Sequence, residues 1–276
     1  VDIIIGGHSH LLMEEAEKIN DTIIHQSGSY GEYLGELDIE VVEGKIVNFK
    51  GQNIKIESLP MDREIIDELI RQKNIAIETL STPLYEVECH IWHDVVEENP
   101  ITNLLADGLK DVVPCDFSII NSGIISGGIK KREVSNKKLL EISPSPLNPT
   151  YMEIKAKYIK EALELSLQAD VCLQDGRGSG FRGKYLGRLH VSKNVVIEHD
   201  RKNILRVMID GKELEEEKTY RIATSDYLQR GTGYLSLANN CNVRYYPEYT
   251  RDVLREYLNK KEFVKECFID RWKRVK

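Results

Sequence analysis

Val1-Asp2-Ile3-Ile4-Ile5-Gly6-Gly7-His8-Ser9-His10 is the stretch on which the reading of the fold turns. An apolar, β-branched run stops at two glycines, and two histidines follow with one residue between them. The run predicts a buried strand. Gly6 and Gly7 allow the chain to turn tightly where the strand ends. His8 and His10 are then expected on a loop at the carboxyl edge of a strand, where α/β folds gather their ligands. In an extended loop, side chains two apart point the same way, so both imidazoles are expected to face one metal ion. A histidine pair of this spacing also arises by chance on surfaces. The preceding strand and glycine pair are what make it a candidate metal-ligating element.

Working outward, 276 residues fit one large domain or two of ordinary size. A hydrophobic share of 41% against 30% charged is enough for a globular core, and a net charge of −7 argues against a nucleic-acid-binding surface. No apolar run approaches the ~20 residues that a membrane span needs. The five cysteines, Cys89, Cys115, Cys172, Cys241 and Cys267, are odd in number and widely spaced, without a C-x-x-C pair. That usage fits free thiols in a reducing compartment, and a cytoplasmic location is expected. The chain starts inside an apolar run without Met, and is expected to be the C-terminal portion of a longer protein.

Along the chain, residues 11–19 read as one or two helical turns and 22–26 as a strand. His25, within that strand, reads as a packed imidazole and not as a ligand. Residues 33–42 and 45–50 read as a hairpin with Glu43-Gly44 at its turn. Pro60 marks a break. A helix follows over 62–80, with Ile65, Leu69 and Ala76 on one stripe and Ile66, Ile70 and Ile77 beside it. Asp62 can cap its start, Glu64 favours the first turn, and Pro83 ends it. This helix is expected to connect two regions, 1–59 and 84–276.

In the second region, His90 and His93 fall on opposite faces of an extended stretch and read as structural. Asn99-Pro100 is a helix start, with Asn at N-cap and Pro at N1. Ile101, Leu104, Leu105 and Leu109 give that helix an apolar face, from which Asn103 points away. A strand over 116–121 runs into Ser122-Gly123-Ile124-Ile125-Ser126-Gly127-Gly128. There small residues would let a ligand approach the backbone, and Asn121 offers both a donor and an acceptor. Residues 143–149 form a rigid, proline-rich loop, 151–156 a strand and 157–168 an amphipathic helix. Asp175-Gly176-Arg177-Gly178-Ser179-Gly180-Phe181-Arg182-Gly183 is either a solvated loop or an anion loop. In the second case Arg177 and Arg182 would grip phosphate and Phe181 would stack on a base. Strands are expected over 185–191 and 194–198. A hairpin should join 204–209 to 219–224 through Asp210-Gly211. Residues 225–234 read as a loop whose Tyr227 and Tyr234 could bracket a flat ligand. Thr250 should cap a final helix, and the basic tail, 273–276, should be solvated. The class is α/β of the mixed, α+β kind.

The order of parts resembles the 5'-nucleotidase family. The carrying elements are Gly6-Gly7-His8-Ser9-His10, then Gln26-Ser27-Gly28-Ser29-Tyr30-Gly31-Glu32-Tyr33-Leu34-Gly35, then residues 98–107 with Asn103-Leu104 and Ala106-Asp107. Ile119-Ile120-Asn121-Ser122-Gly123 and residues 227–234 follow in the right order. The resemblance implies three parts. These are the end of a β-sandwich-type metallophosphoesterase domain over 1–59, a connecting helix over 60–83, and a mixed α/β substrate-binding domain over 84–276. It implies a hydrolase in which two divalent ions (Mn, Zn, Mg or Co) activate a water that attacks a nucleotide's phosphorus. His8 and His10 would be metal ligands, Asn121 and Gly123 would contact the nucleoside, and Tyr227 and Tyr234 would lie at the base. The partner expected is a nucleotide or related phosphate ester, with no nucleic acid and no membrane.

The family's remaining metal ligands and its catalytic groups precede the G-H-S-H element and are expected upstream, so none is assigned in this chain. Taken alone, the chain should bind metal poorly and be inactive, and residues 1–58 should be less ordered than those after 84. Three positions depart from the family pattern: Ile125-Ser126 where an Arg is expected, Pro144-Ser145 for Pro-Phe, and Thr232 for Asp. Phe181, Arg182 and Arg177 are candidates for substitute contacts. Alternatives are a non-catalytic nucleotide-binding module or, within the enzyme class, a UDP-sugar hydrolase or 2',3'-cyclic-nucleotide phosphodiesterase.

Overall fold

Strand β1 (Ile3–Ile5), β2 (Glu17–Ile19) and β3 (Thr22–His25) form a three-stranded sheet in the order β1-β3-β2. β1 runs parallel to β3 and β2 antiparallel. The structure is a computed structural model; it describes every residue except 58, 59, 177, 179 and 276, and leaves out the side chain of Glu133. Two expectations fail in this sheet. β1 is an edge strand and not a buried one, with Ile4 and Ile5 exposed. Residues 11–19 form no helix. Leu12 bridges Ser27, Glu15 bridges Gln52, and β2 follows. A helix of so few residues is marginal by itself, and the neighbouring backbone offers hydrogen bonds that it would lack.

β4 (Tyr33–Val42) and β5 (Lys45–Lys55) make the expected hairpin, with the second strand longer than read. Glu43 and Gly44 have φ of 50° and 77°, the paired left-handed residues that a two-residue primed turn requires. Helix α1 (Arg63–Ser81) starts where Asp62 Oδ1 accepts from Glu64 N (2.9 Å) and Ile65 N (3.2 Å). By its contacts the chain divides into two units, Val1–Lys73 and Asn74–Lys276, so the division runs through this helix.

The second unit begins with β6 (Pro83–Val87) and α2 (Pro100–Val112). Asn99 caps α2 by accepting from Thr102 N at 3.1 Å, with Pro100 beginning the helix. α2 is buried from Pro100 to Leu109, polar residues included. Next come β7 (Phe117–Asn121), β8 (Arg132–Ser135), α3 (Asn136–Ile142), β9 (Pro149–Lys155), α4 (Ala156–Ser166) and α5 (Ala169–Cys172). β10 (Leu189–Val191), β11 (Val195–His199), β12 (Ile204–Ile209), β13 (Lys212–Glu213), β14 (Thr219–Ser225) and α6 (Asp226–Gln229) follow. β15 (Asn240–Tyr245), α7 (Thr250–Tyr257), α8 (Lys261–Glu266) and β16 (Trp272–Arg274) complete the chain.

The central sheet has the order β10-β7-β14-β9-β15, a second sheet the order β13-β12-β11-β16, and β6 pairs with β8. This is the mixed α/β architecture expected. The connectivity differs in one place. Asp210-Gly211 turns β12 into the two-residue β13, while β14 crosses to the central sheet between β7 and β9. Thr250 is the first residue of α7, whose N-cap is Tyr249, and α7 is not the last helix. The tail is exposed over 273–275, as expected, but its backbone is paired. Trp272 pairs with Ile197 and Arg274 with His199 in a parallel strand.

That final strand explains why α2 buries polar residues. Arg271, 1% exposed, places Nη2 2.6 Å from Asp107 Oδ2 and Nη1 3.1 Å from the Asn103 carbonyl. The carboxylate of Glu98 accepts the N–H of Arg271 and of Trp272, each at 2.9 Å, and the Asn103 amide at the same distance. Among the described residues no helix is long and apolar enough to cross a membrane.

Candidate functional site

β7 is buried along its whole length, and it ends at Asn121 in the centre of the second unit. A single 3-10 turn, Ser122–Ile124, follows. Asn121 donates from Nδ2 to the Leu186 carbonyl at 2.6 Å, and its Oδ1 is buried with no partner. Only glycine fits two positions later, because a Cβ on Gly123 would lie 1.9 Å from the Tyr185 carbonyl oxygen. Gly183 closes on the other side. A Cβ there would stand 2.1 Å from the Gly123 oxygen and 2.7 Å from the Phe181 ring. The loop after β7 and the loop before β10 therefore lie backbone against backbone.

The aromatic residues gather on that junction. Tyr234 is fully buried and donates its hydroxyl to the Gly187 carbonyl at 2.8 Å. Tyr227 lies not on a loop but on the short helix α6, which starts where Ser225 Oγ accepts from Leu228 N. Phe181 stacks on Tyr227 with ring centroids 4.7 Å apart and planes 24° from parallel. The Tyr227 hydroxyl is buried without a partner, and burial pushes its pKa up to about 12. Burial raises Tyr234 as well. Both phenols stay neutral, and Tyr234 acts as a donor. Arg182 is exposed; its backbone N–H donates to the buried Ser145 Oγ at 2.9 Å. Arg177 lies outside the described residues. Of the three departures from the family pattern, Ile125 and Ser145 are buried and Thr232 is half-buried.

Two histidines that the sequence marked as structural, or passed over, belong to this frame. His93 Nε2 lies 3.0 Å from the Ser122 carbonyl, so that nitrogen carries the proton, and burial lowers the ring's pKa. His190 is fully buried, and its Nε2 accepts from Asn99 N at 3.0 Å. Nδ1 then donates to the Arg188 carbonyl, and burial depresses the pKa to about 3. Nothing in local spacing could reveal either role, because both partners are distant in sequence.

His8 and His10 belong to the first unit. The loop is not extended as expected. Gly7 to His10 is a turn, with His10 N donating to the Gly7 carbonyl at 3.4 Å and His10 at φ 56°. Both imidazoles are exposed, and His10 meets the ring of Tyr30 edge-on at 5.7 Å. Among the described residues no group of three or more His, Cys, Asp or Glu could hold a metal ion. Two imidazoles cannot complete a two-ion centre, whose zinc sites alone want at least three protein ligands each. These residues do not by themselves fit a pair of divalent ions.

The family model described as "5'-nucleotidase, C-terminal domain" matches residues 77–239. The uncharacterized metallophosphoesterase YunD of Bacillus subtilis is 27% identical over 264 residues, covering 92% of this chain and 57% of that protein. A 5'-nucleotidase of Vibrio vulnificus is 24% identical over 300 residues, covering 94% of the chain and 52% of that protein. The chain thus spans about half the length of the curated relatives named here. A solved 5'-nucleotidase precursor from Thermus thermophilus shares the fold at a TM-score of 0.58 and 18% identity, over 99% of this chain and 59% of that one.

Proposed function

The chain belongs to the family of 5'-nucleotidase C-terminal domains, and from that premise we propose that it selects the substrate for a metal-dependent nucleotide phosphoesterase. The supporting observation is convergence. Asn121, Gly123, Phe181, Tyr227 and Tyr234 come from three separate stretches of chain and meet at one junction of two loops. Asn121 Oδ1 is an acceptor that the fold leaves unused, suited to an amino or hydroxyl group of a nucleoside. Tyr227 and Phe181 supply π faces for a base, and the glycine at 123 lets the two loops that carry these groups close on each other. Arg182, exposed beside them, is the cation available to a phosphate. The divalent ions implied by the relatives' names would activate water and stabilise charge on the phosphoryl oxygens. His8 and His10 alone do not hold them, so the chemical step is assigned to no residue of this chain.

Calorimetric titration with a panel of 5'-mononucleotides and their free nucleosides tests the reading. Tyr227→Leu keeps the apolar bulk but removes the stacking face, and should weaken nucleoside affinity by about tenfold, the scale of one base stack. Absence of binding by every member of the panel, or an unchanged affinity in the variant, would remove the proposal.

A further inference from the structure

A cavity of about 620 Å³ opens where β16 joins the second sheet, and its walls include Arg188, His199, Arg201, Trp272 and Arg274. Strand alternation accounts for part of this. Trp272 and Arg274 are two apart on β16 and share a face, and Arg274 pairs with His199 on β11. The guanidinium of Arg188 lies 4.9 Å from the centre of the Trp272 ring, and the His199 ring meets that ring edge-on at 5.9 Å. Arg188, His199 and Trp272 are only 7%, 8% and 7% exposed.

A buried guanidinium normally demands a close carboxylate. Arg188 lacks one: Glu97, whose side chain is 74% exposed, approaches only to 3.5 Å, and Arg188 Nε donates to the Ser166 carbonyl. Arg201 and Arg274 form no ion pair among the described residues. His199 Nδ1 accepts from Arg201 N at 3.2 Å, so the neutral ring carries its proton on Nε2 as a donor. The indole N–H of Trp272 is buried without an acceptor. The wall therefore holds more donors than the fold satisfies. Three carboxylates face the same space: Glu97, Glu98 and Asp270. Glu98 is taken up by the N–H groups of Arg271, Trp272 and Asn103, and Glu97, largely in solvent, meets Arg188 only at 3.5 Å. Asp270 lines the cavity and forms no ion pair among the described residues.

We propose that this cavity is an oxyanion site, taking inorganic phosphate or the phosphate of a small ester on Arg188, Arg201, Arg274 and the Nε2–H of His199. Three guanidinium forks offer more donors than a carboxylate has oxygens to receive, which favours a tetrahedral, doubly charged group. The site does not depend on the nucleotide reading, but it adjoins that frame. The Arg188 carbonyl accepts Ser122 N at 2.8 Å, beside Asn121 and Gly123. An anion drawing on the Arg188 side chain thus acts on the segment that positions the first loop.

The full chain is titrated with inorganic phosphate and, separately, with glycerol 3-phosphate. Binding is read by calorimetry and by the His199 imidazole in proton NMR, its signal assigned from its loss in His199→Gln. A bound anion favours the imidazolium, so the pKa of His199 should rise on saturation. Arg201→Ala with Arg274→Ala removes two exposed side chains and should weaken binding about tenfold or more while leaving the melting temperature in place. Saturation by either anion with both effects upholds the site, and which anion binds names the source. No saturation by either in the tens of millimolar, an unmoved His199 signal, or an affinity indifferent to the double variant overturns it.

Discussion

The two units of the chain are built on opposite terms. Of the buried apolar side chains among the described residues, Ile23 alone lies before Lys73, whereas a cluster from Val87 to Trp272 fills the second unit. The first unit has hydrogen bonds in plenty. β4 and β5 pair from Tyr33 with Lys55 to Val42 with Lys45. Yet Leu34, Ile39, Val41, Val47 and Ile54 of that hairpin remain exposed. Backbone hydrogen bonds exchange water partners for protein partners and yield little net free energy, while burial supplies most of the driving force. A two-stranded ribbon without a covered face is marginal. The two units should therefore part company whenever stability is measured. The second should unfold as a cooperative body. The first should exchange its amides through small, local openings.

The strongest way to break that contrast is through the ion pair at the centre of the second unit. Asp107 and Arg271 have side chains 1% exposed each and touch at 2.6 Å. Asp107→Ala strands a buried guanidinium, and loss of one partner of such a pair costs about 3–5 kcal/mol. Urea denaturation should show a shift of that size in the second unit's transition. Amide exchange over β4 and β5 should not change. A shift below about 1 kcal/mol would mean that the pair is not what ties β16 to α2.

A smaller effect follows from His190. Its pKa falls from 6.5 to about 3 because the folded chain buries it. Between those values the unfolded chain holds a proton that the folded chain refuses, so stability rises with pH. The contribution is complete above about pH 6.5 and drains away as acid is added toward pH 3. His93 and His199, also lowered chiefly by burial, act in the same sense. Stability of the second unit, measured from pH 7 down to pH 5, should fall, and His190→Gln should flatten that slope. The β4–β5 hairpin contains no histidine and should not follow this window. A slope identical in the variant would exclude His190 as its source.

What the sequence made legible divides along a physical line. Local punctuation was readable because its causes are local: Asp62 and Asn99 as caps, Pro100 at a helix start, Glu43-Gly44 at a turn. The departure of β14 to the central sheet was not, because pairing of Ile222 with Phe117 is a tertiary choice that alternation along β14 does not encode. The partner of Asp107 lies 164 residues away, and the tail that carries it looks like any basic end. The residues of the candidate site were nameable from their types and order, since glycine beside Asn, and tyrosine beside glycine, carry chemistry on their face. Their convergence was not. It rests on the Gly123 backbone lying against Tyr185 and Leu186, which no spacing reports. The failure at residues 11–19 is of the same kind, a weak helical preference yielding to sheet partners at Ser27 and Gln52.

The mildest test uses two turns of one type, one in each unit. Glu43-Gly44 has φ of 50° and 77°; Asp210-Gly211 has 49° and 76°. At both glycines a Cβ would meet nothing within 4 Å, so alanine costs only the backbone's aversion to the left-handed region, about 1 kcal/mol. The local penalty should be equal, and the readout should not. Gly211→Ala acts on a turn whose incoming strand reaches the buried cluster through Ile209, and should lower the cooperative transition of the second unit by about that amount. Gly44→Ala should leave that transition in place and appear only as faster amide exchange across β4 and β5. If both variants shifted one common transition equally, the two units would be a single cooperative body and the contrast drawn from their burial would fail.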